Sequence, residues 1–477
     1  MPEYKPTIGL EIHIRLDTKT KMFCPCKNDP DENQPNVNIC PICLAHPGTL
    51  PTINEEAVRK VVLFGLALGG KIAKKTNFDR KSYFYPDLPK GFQISQYDDP
   101  LVSGGELKEI RITRIHLEED AGRLVHTEGG FVEEGMSKSS LVDYNRAGTP
   151  LAELVTEPDL VSAKQVVEFA RELQLISRYL GISDADMEKG EMRIEANVSL
   201  NMGTRVELKN INSFRVVSQA IGYEIARQKK LLERGEKVIQ ETRGWNAKNQ
   251  KTWSQRSKEE AHDYRYFPEP DLPPLDLSEW DLENMKAELP ELPEAKRNRF
   301  AKEFELKMED VEPLINNERE AEYFEEIISE LRIFNKKADV KSAYNYFTGE
   351  LRGLMNDRGA KFEDLKISPE EFAHFVYMTS SGELSSRLAK NMLALMFETG
   401  KDPETIKEEG GFEVISGENE LEKVVREVVN ENEKAVLDYK KGKEEAVKFL
   451  VGQVMAKSKG QADPKKAVGV FKKVLGE

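Results

Sequence analysis

The sequence predicts an α+β chain in which a mostly antiparallel-sheet domain, residues 1–293, is followed by an all-α helical domain, 294–405, and a small helical tail, 406–477. Three observations carry that prediction. Residues 7–16 alternate without a break, with Ile8, Leu10, Ile12, Ile14 and Leu16 on one side and Gly9, Glu11, His13 and Arg15 on the other, the period of a half-buried strand. Residues 192–200 and 206–209 repeat that pattern around Asn201-Met202-Gly203, as a hairpin does. Beyond a run of six prolines between Pro268 and Pro293 the period becomes helical, and the domain boundary is expected there.

The elements between follow from local chemistry. Asn54 caps a helix that Gly69-Gly70 ends, and Ser162 opens an amphipathic helix closed by Gly181. A long helix runs over residues 213–234, stopped by Gly235. Residues 110–120 read as a strand whose phase changes near Thr113-Arg114. A bulge there leaves Glu119 on the side of Ile115 and Leu117. The prolines between Pro268 and Pro293 are expected to break any regular element, and beyond them a further strand is possible only near residues 412–415.

Composition narrows the function. The longest apolar stretch, residues 61–68, is too short to span a membrane. The formal charge of -14 argues against wholesale coating of nucleic acid, but residues 434–477 hold 11 Lys against 5 acidic residues. Such a tail fits contact with a polyanion or a solvated helical surface equally. No P-loop and no kinase signature occurs. The expected compartment is the cytoplasm.

Cys24, Cys26, Cys40 and Cys43 are the only cysteines, arranged as Cys-x-Cys and Cys-x-x-Cys across a 13-residue loop. Two close-set pairs can wrap four thiolates around one tetrahedral Zn²⁺, a closed site that braces structure rather than reacts. Disulfides are the rival reading, disfavoured for a long chain in a reducing compartment.

Chemistry is sought on charged faces. The polar side of the hairpin carries Arg193, Glu195, Arg205, Glu207 and Lys209, joined by Glu11 and His13. Carboxylates hold Mg²⁺ and guanidinium groups hold phosphates, so such a sheet can seat a metal nucleotide; a solvated outer face is the plainer alternative. Glu118, Glu119 and Asp120 in succession repel one another, and a cation would relieve them. Glu153, among apolar neighbours, needs a partner. Residues 79–91 interleave Arg80, Lys81 and Lys90 with Tyr83, Phe84 and Tyr85. That suits either nucleic acid or packed tyrosines beside surface lysines.

Longer stretches resemble one family. Gly9-Leu10-Glu11-Ile12-His13, the run from Phe78 to Gly91, Gln93 to Tyr97, His116 to Gly122, Leu141 to Pro150, Lys209 to Phe214 and His262 to Asp271 are together similar to the B subunit of the glutamyl-tRNA(Gln)/aspartyl-tRNA(Asn) amidotransferases (GatB). The resemblance implies a glutamine synthetase-like cradle that binds ATP and Mg²⁺ and phosphorylates the side-chain carboxylate of a misacylated tRNA. Ammonia, channelled from a glutaminase A subunit, would then displace the phosphate, with a small C subunit completing a heterotrimer. It carries Mg²⁺ ligation onto Glu11, His13, Glu119, Glu153, Glu195 and Glu207, where Glu195 replaces the family's commoner Asp. Lys81, Lys90 and Asp271 match positions of the polar channel and site mouth. Arg193, Arg205 and Lys209 would hold the nucleotide, the cysteines match a structural zinc knuckle present in some members, and the helical parts would embrace tRNA.

Overall fold

A computed structural model describes residues 4–126, 140–257, 264–336, 339–410, 412, 418–440, 444–458, 461–462 and 464–475. His262, Asp263, most of residues 412–415 and several tail lysines lie outside them. The chain forms two compact units, Met1–Ala295 and Lys296–Glu477.

The alternating segment becomes β1, Pro6–Arg15, with Ile8, Leu10, Ile12 and Ile14 buried. It lies at the middle of a large sheet because both of its edges are paired. The other elements are α1, Glu55–Ala67; β2, Asp79–Ser82; β3, Phe92–Ser95; β4, Ile110–Glu119; β5, Pro150–Thr156; α2, Ala163–Tyr179; β6, Met192–Leu200; β7, Val206–Ile211; α3, Phe214–Glu233; β8, Glu241–Asn246; and β9, Lys251–Ser257. The sheet runs in the order β9-β8-β7-β6-β1-β5-β4, continued by Val102–Ser103 and Lys71–Ile72. Its neighbours are antiparallel except β7 and β8, which run parallel. Strands β2 and β3 pair in a separate small sheet with Phe267–Pro268.

The apolar side of the sheet packs against the helices, Val166 and Phe169 of α2 and Val217 and Ile221 of α3 joining Ile8 and Ile12 in one core. Each helix starts where a side chain can satisfy a free backbone donor: Asn54, Ser162 and Ser213 accept from the N–H groups of Ala57, Gln165 and Val216. The opposite, polar side of the sheet is left for a site. In the hairpin turn Asn201 and Met202 both adopt positive φ, 54° and 56°, as a tight turn matching strand twist demands.

The expected phase change in β4 is present. Arg114 faces Val155 and Ile112 faces Thr156, so Thr113 is left over as a bulge. One pair of strands was not anticipated, and one expectation needs correction. Strands β8 and β9 gave no clear alternation in the sequence, because β8 contains Gly244 and both mix charged with small polar residues. The proline-rich run is not free of regular structure either: Phe267–Pro268 and Leu275–Asp276 pair as short edge strands and Leu282–Ala287 is a helix. Proline is tolerated at such edges because its missing N–H faces outward.

In the second unit, helices Glu318–Phe334 and Pro369–Ser380 surround an aromatic core of Phe324, Phe347, Phe372 and Phe375. Helices Glu418–Glu431, Glu444–Lys457 and Pro464–Leu475 share a smaller core containing Val425, Leu450 and Phe471. Among the described residues no helix is long and apolar enough to cross a membrane.

Candidate active site

Period-two alternation builds two cavities back to back. Lys81 of β2, Gln93 of β3 and Glu118 of β4 face a cavity of about 770 Å³. Their neighbours Arg80, Phe92, Ile94 and Glu119 line a second, of about 280 Å³. These strands therefore form a partition. It is held by Gln93 Nε2, which donates to Glu118 Oε1 at 3.1 Å and to the Glu119 carbonyl at 2.8 Å, and by the Ile94 N–H, which donates to Glu119 Oε1 at 2.9 Å.

The larger cavity sits on the polar face of the sheet, where register brings distant residues into rows. His13 stands opposite Glu153 on one side and Arg193 on the other, and Glu153 stands opposite His116. Glu153 is buried between two imidazoles, with His13 Nε2 at 3.3 Å and His116 Nε2 at 3.2 Å. Burial would raise its pKa, but the two histidines outweigh burial and hold it well below the usual range. Burial likewise opposes the charge on His13, yet Glu153 lifts it to about 9. Glu11 is pushed up to about 7 by burial and by the nearby Glu153 and Glu195. A carboxylate that is costly to ionise beside two others is a place where a divalent cation would stabilise charge.

The ligand atoms of Glu11, His13 and Glu153 lie within 4.8 Å of one another, and so do those of His116, Glu118 and Glu153. Two clusters thus share one carboxylate. Carboxylate oxygens and imidazole nitrogens are a donor set that fits Mg²⁺ or Mn²⁺. Glu195 and Glu207 line the same cavity, both within reach of Lys209, at 2.6 and 3.6 Å. A bulge places Lys209 there: Ile194 pairs with Ile211 and Ala196 with Leu208, while Asn210 takes a positive φ of 59°.

The candidate residues do not all meet. Glu11, His13, Lys81, Glu153, Arg193, Glu195, Glu207 and Lys209 line the larger cavity. Lys90, Glu119 and Asp271 line the smaller one. Glu119 therefore stands apart from the expected metal ligands: it bonds Lys90 Nζ at 2.5 Å, and the bulge at Thr113 is the physical reason. Arg205 is also displaced, lining an adjoining pocket of about 290 Å³ at the turn end of the hairpin. The three successive carboxylates are not relieved by one cation. Glu118 meets Lys81 at 3.2 Å, Glu119 meets Lys90, and Asp120 meets Arg193 at 2.7 Å and Arg146 at 3.6 Å.

Of the two readings of residues 79–91, packed tyrosines beside surface lysines is the one reversed. Lys81 and Lys90 are the enclosed groups, whereas Phe84 is 89% exposed and Tyr85 58%. Sequence reasoning grouped Glu118 with Glu119 and Asp120 around a cation and carried metal ligation by motif to Glu119, whereas the bulge at Thr113 turns His116 and Glu118 toward the cavity. Thr242, whose hydroxyl donates to Glu207 Oε2 at 2.6 Å, carried no signal, because its strand was not legible.

All four cysteines are free thiols, and their sulfurs lie within 4.8 Å of one another. The Cys43 thiol is drawn down to about 5, first by its hydrogen bond with Cys24, and the backbone N–H of Cys40 donates to its sulfur at 3.1 Å. A set of four clustered sulfurs, one already favouring thiolate, fits Zn²⁺. Cys24 and Cys43 also line the smaller cavity.

Comparison with known proteins agrees with the motifs. The GatB/GatE catalytic domain matches residues 6–283 and the GatB domain residues 322–475. The chain belongs to the GatB family. It is similar to the B subunit of the aspartyl/glutamyl-tRNA(Asn/Gln) amidotransferase of Thermotoga petrophila, 46% identical over 486 residues that cover 99% of each chain. The proteins of the same name from Dehalococcoides mccartyi, 44% identical over 100% of both chains, and Persephonella marina, 43% identical over 99% of this chain and 100% of that one, are similar too.

Proposed function

We propose that the chain is the B subunit of an amidotransferase that converts Glu-tRNA(Gln) to Gln-tRNA(Gln), Asp-tRNA(Asn) to Asn-tRNA(Asn), or both, using ATP. The single observation that carries this reading is Glu153 shared between two acid and imidazole clusters in a cavity ringed by cations. The sheet serves as a glutamine synthetase-type cradle. Partners are a glutaminase A subunit, a C subunit and the misacylated tRNA, which the helical unit and its lysine-rich tail contact through phosphates.

A carboxylate is a poor acyl donor, since its leaving group would be oxide. Transfer of the γ-phosphoryl group of ATP to the side-chain carboxylate releases ADP and creates an acyl phosphate. Ammonia then attacks the carbonyl carbon and phosphate departs. Bringing an anionic carboxylate to an anionic phosphate is the obstacle. Glu11, His13, Glu153, His116 and Glu118 would hold Mg²⁺, with Glu195 and Glu207 nearby; when bound, the metal neutralises phosphate charge as the two anions meet. Lys81 and Arg193 keep their protons, Lys81 because Glu118 and Glu153 outweigh its burial and Arg193 because of Asp120, and both hold positive charge on the cavity wall. Lys90, Glu119 and Asp271 in the smaller cavity line a polar route by which ammonia reaches the partition. Four thiolates around Zn²⁺ brace the wall of that route.

The test is ADP release by the chain, co-purified with its A and C partners, with ATP, Mg²⁺ and ammonium, in the presence and absence of Glu-tRNA(Gln) or Asp-tRNA(Asn). Turnover that requires charged tRNA and yields the amide is expected. Silence with both substrates would reduce the chain to a tRNA-presenting module.

A further inference from the structure

Among the described residues, Lys81, Arg114, Arg146, Arg193 and Lys209 line the larger cavity, and all but one of these cations are already engaged. Lys81 pairs with Glu118, Lys209 with Glu195, and Arg193 and Arg146 with Asp120, while Arg146 also donates to the carbonyls of Ala121 and Gly122. Arg114 is the exception. Among the described residues its guanidinium has no carboxylate partner and donates no hydrogen bond, and its Nε is fully enclosed with nothing to receive it. A half-buried cation with an orphaned, enclosed donor is costly unless something anionic arrives.

Its placement is built. The guanidinium lies over the ring of Tyr97, 5.7 Å from the centroid, and Tyr97 is stacked on Tyr266 at 4.2 Å and 14°. A cation held over one aromatic face has its orientation restrained while its N–H groups stay available. Register supplies the rest. Arg114 and Glu11 both stand opposite Val155, so they flank it one strand to each side, roughly 10 Å apart. Along β4, Arg114 shares the cavity face with His116 and Glu118. The free cation thus stands at one edge of the acid and imidazole clusters, not among them.

We propose that Arg114 binds the polyphosphate of ATP, completing the nucleotide site that the sequence assigned to Arg193, Arg205 and Lys209. Arg193 and Lys209 spend their charge on Asp120 and Glu195, and Arg205 lies in the adjoining pocket. A guanidinium with five donors in a fixed fork matches phosphate oxygens, and a phosphate chain can reach from a metal held by the clusters to Arg114. This assignment rests on the nucleotide reading of the cavity. An anionic carboxylate of the aminoacyl group is the competing ligand.

The experiment titrates MgATP and adenosine into the intact complex carrying wild-type chain, Arg114→Ala or Arg114→Lys, and measures Mn²⁺ binding by electron paramagnetic resonance on the same samples. The dissociation constant for MgATP should rise roughly tenfold or more in Arg114→Ala, the loss of one charge-assisted pair. Arg114→Lys should recover part of it, while adenosine and Mn²⁺ affinities stay within about twofold. Unchanged MgATP affinity in Arg114→Ala, or equal weakening of adenosine, would overturn the assignment. A wild-type complex that binds no MgATP would overturn both this assignment and the nucleotide reading beneath it.

Discussion

Glu118 and Glu119 are neighbours with the same carboxylate, yet Glu118 joins His116 and Glu153 while Glu119 pairs with Lys90 across the partition. Adjacent residues of a strand point to opposite faces, so their roles must differ. Glu118→Ala should abolish ATP turnover dependent on charged tRNA. Glu119→Ala should keep that turnover within about threefold and instead lose amide formation with glutamine more than with added ammonium, because it borders the proposed route and not the metal clusters. Comparing ADP release with amide yield in the two variants checks the pair; equal losses of ADP release would sink the division of labour. The same logic shows what was readable. Alternation alone placed Glu11 and His13 together, and the bulge at Thr113 was visible as a break of phase. Matching Glu119 by motif overrode that phase, and the geometry follows the phase.

At the scale of elements, the sheet is held in place by contacts remote in sequence. Glu224 of α3 is fully buried and accepts from Arg227 at 2.9 and 2.7 Å and from Gln228 at 2.9 Å, with Arg243 of β8 at 3.6 Å. This network fastens β8, which carries Thr242 to Glu207. Removing Glu224 leaves Arg227 and Arg243 to share Glu241 alone, at 3.5 and 2.6 Å, so Glu224→Ala should cost about 3 kcal/mol in urea unfolding. A loss below about 1 kcal/mol would mean that water reaches the arginines. The cysteine loop is an element of another kind, tied by the Met22 N–H to the Gly148 carbonyl at 2.7 Å and by packing of Phe23 edge-on to Phe78. Cys43→Ser should lower zinc content from the expected one per chain toward none and reduce stability by about 3–4 kcal/mol, the linkage expected at free zinc of about 100 to 1,000 times Kd. Metal analysis beside thermal melts decides it, and full zinc content in the variant would remove Cys43 from the ligand set. The alternation of β6 and β7 was plain in the sequence, whereas β8, with Gly244 among small and charged residues, became a strand through its parallel pairing with β7. Local propensity had little to say there.

For the whole molecule, the division at Ala295 and Lys296 separates two units with distinct cores. Separate cores need not melt together. Calorimetry of the full chain should show more than one transition, and zinc chelation should shift only the one that belongs to the N-terminal unit; a single transition shifted as a whole would show that the units unfold as one. By itself the sequence determined the class of the fold, the central strand, the capped helices, the hairpin, the cysteine cluster and the family, because each depends on local period, local capping or contiguous motif. Only the tertiary structure decided which charges meet. Ion pairs, shared carboxylates and the unengaged guanidinium of Arg114 arise from strand register between segments remote in sequence, and no local pattern in the chain encodes that register until the sheet has formed.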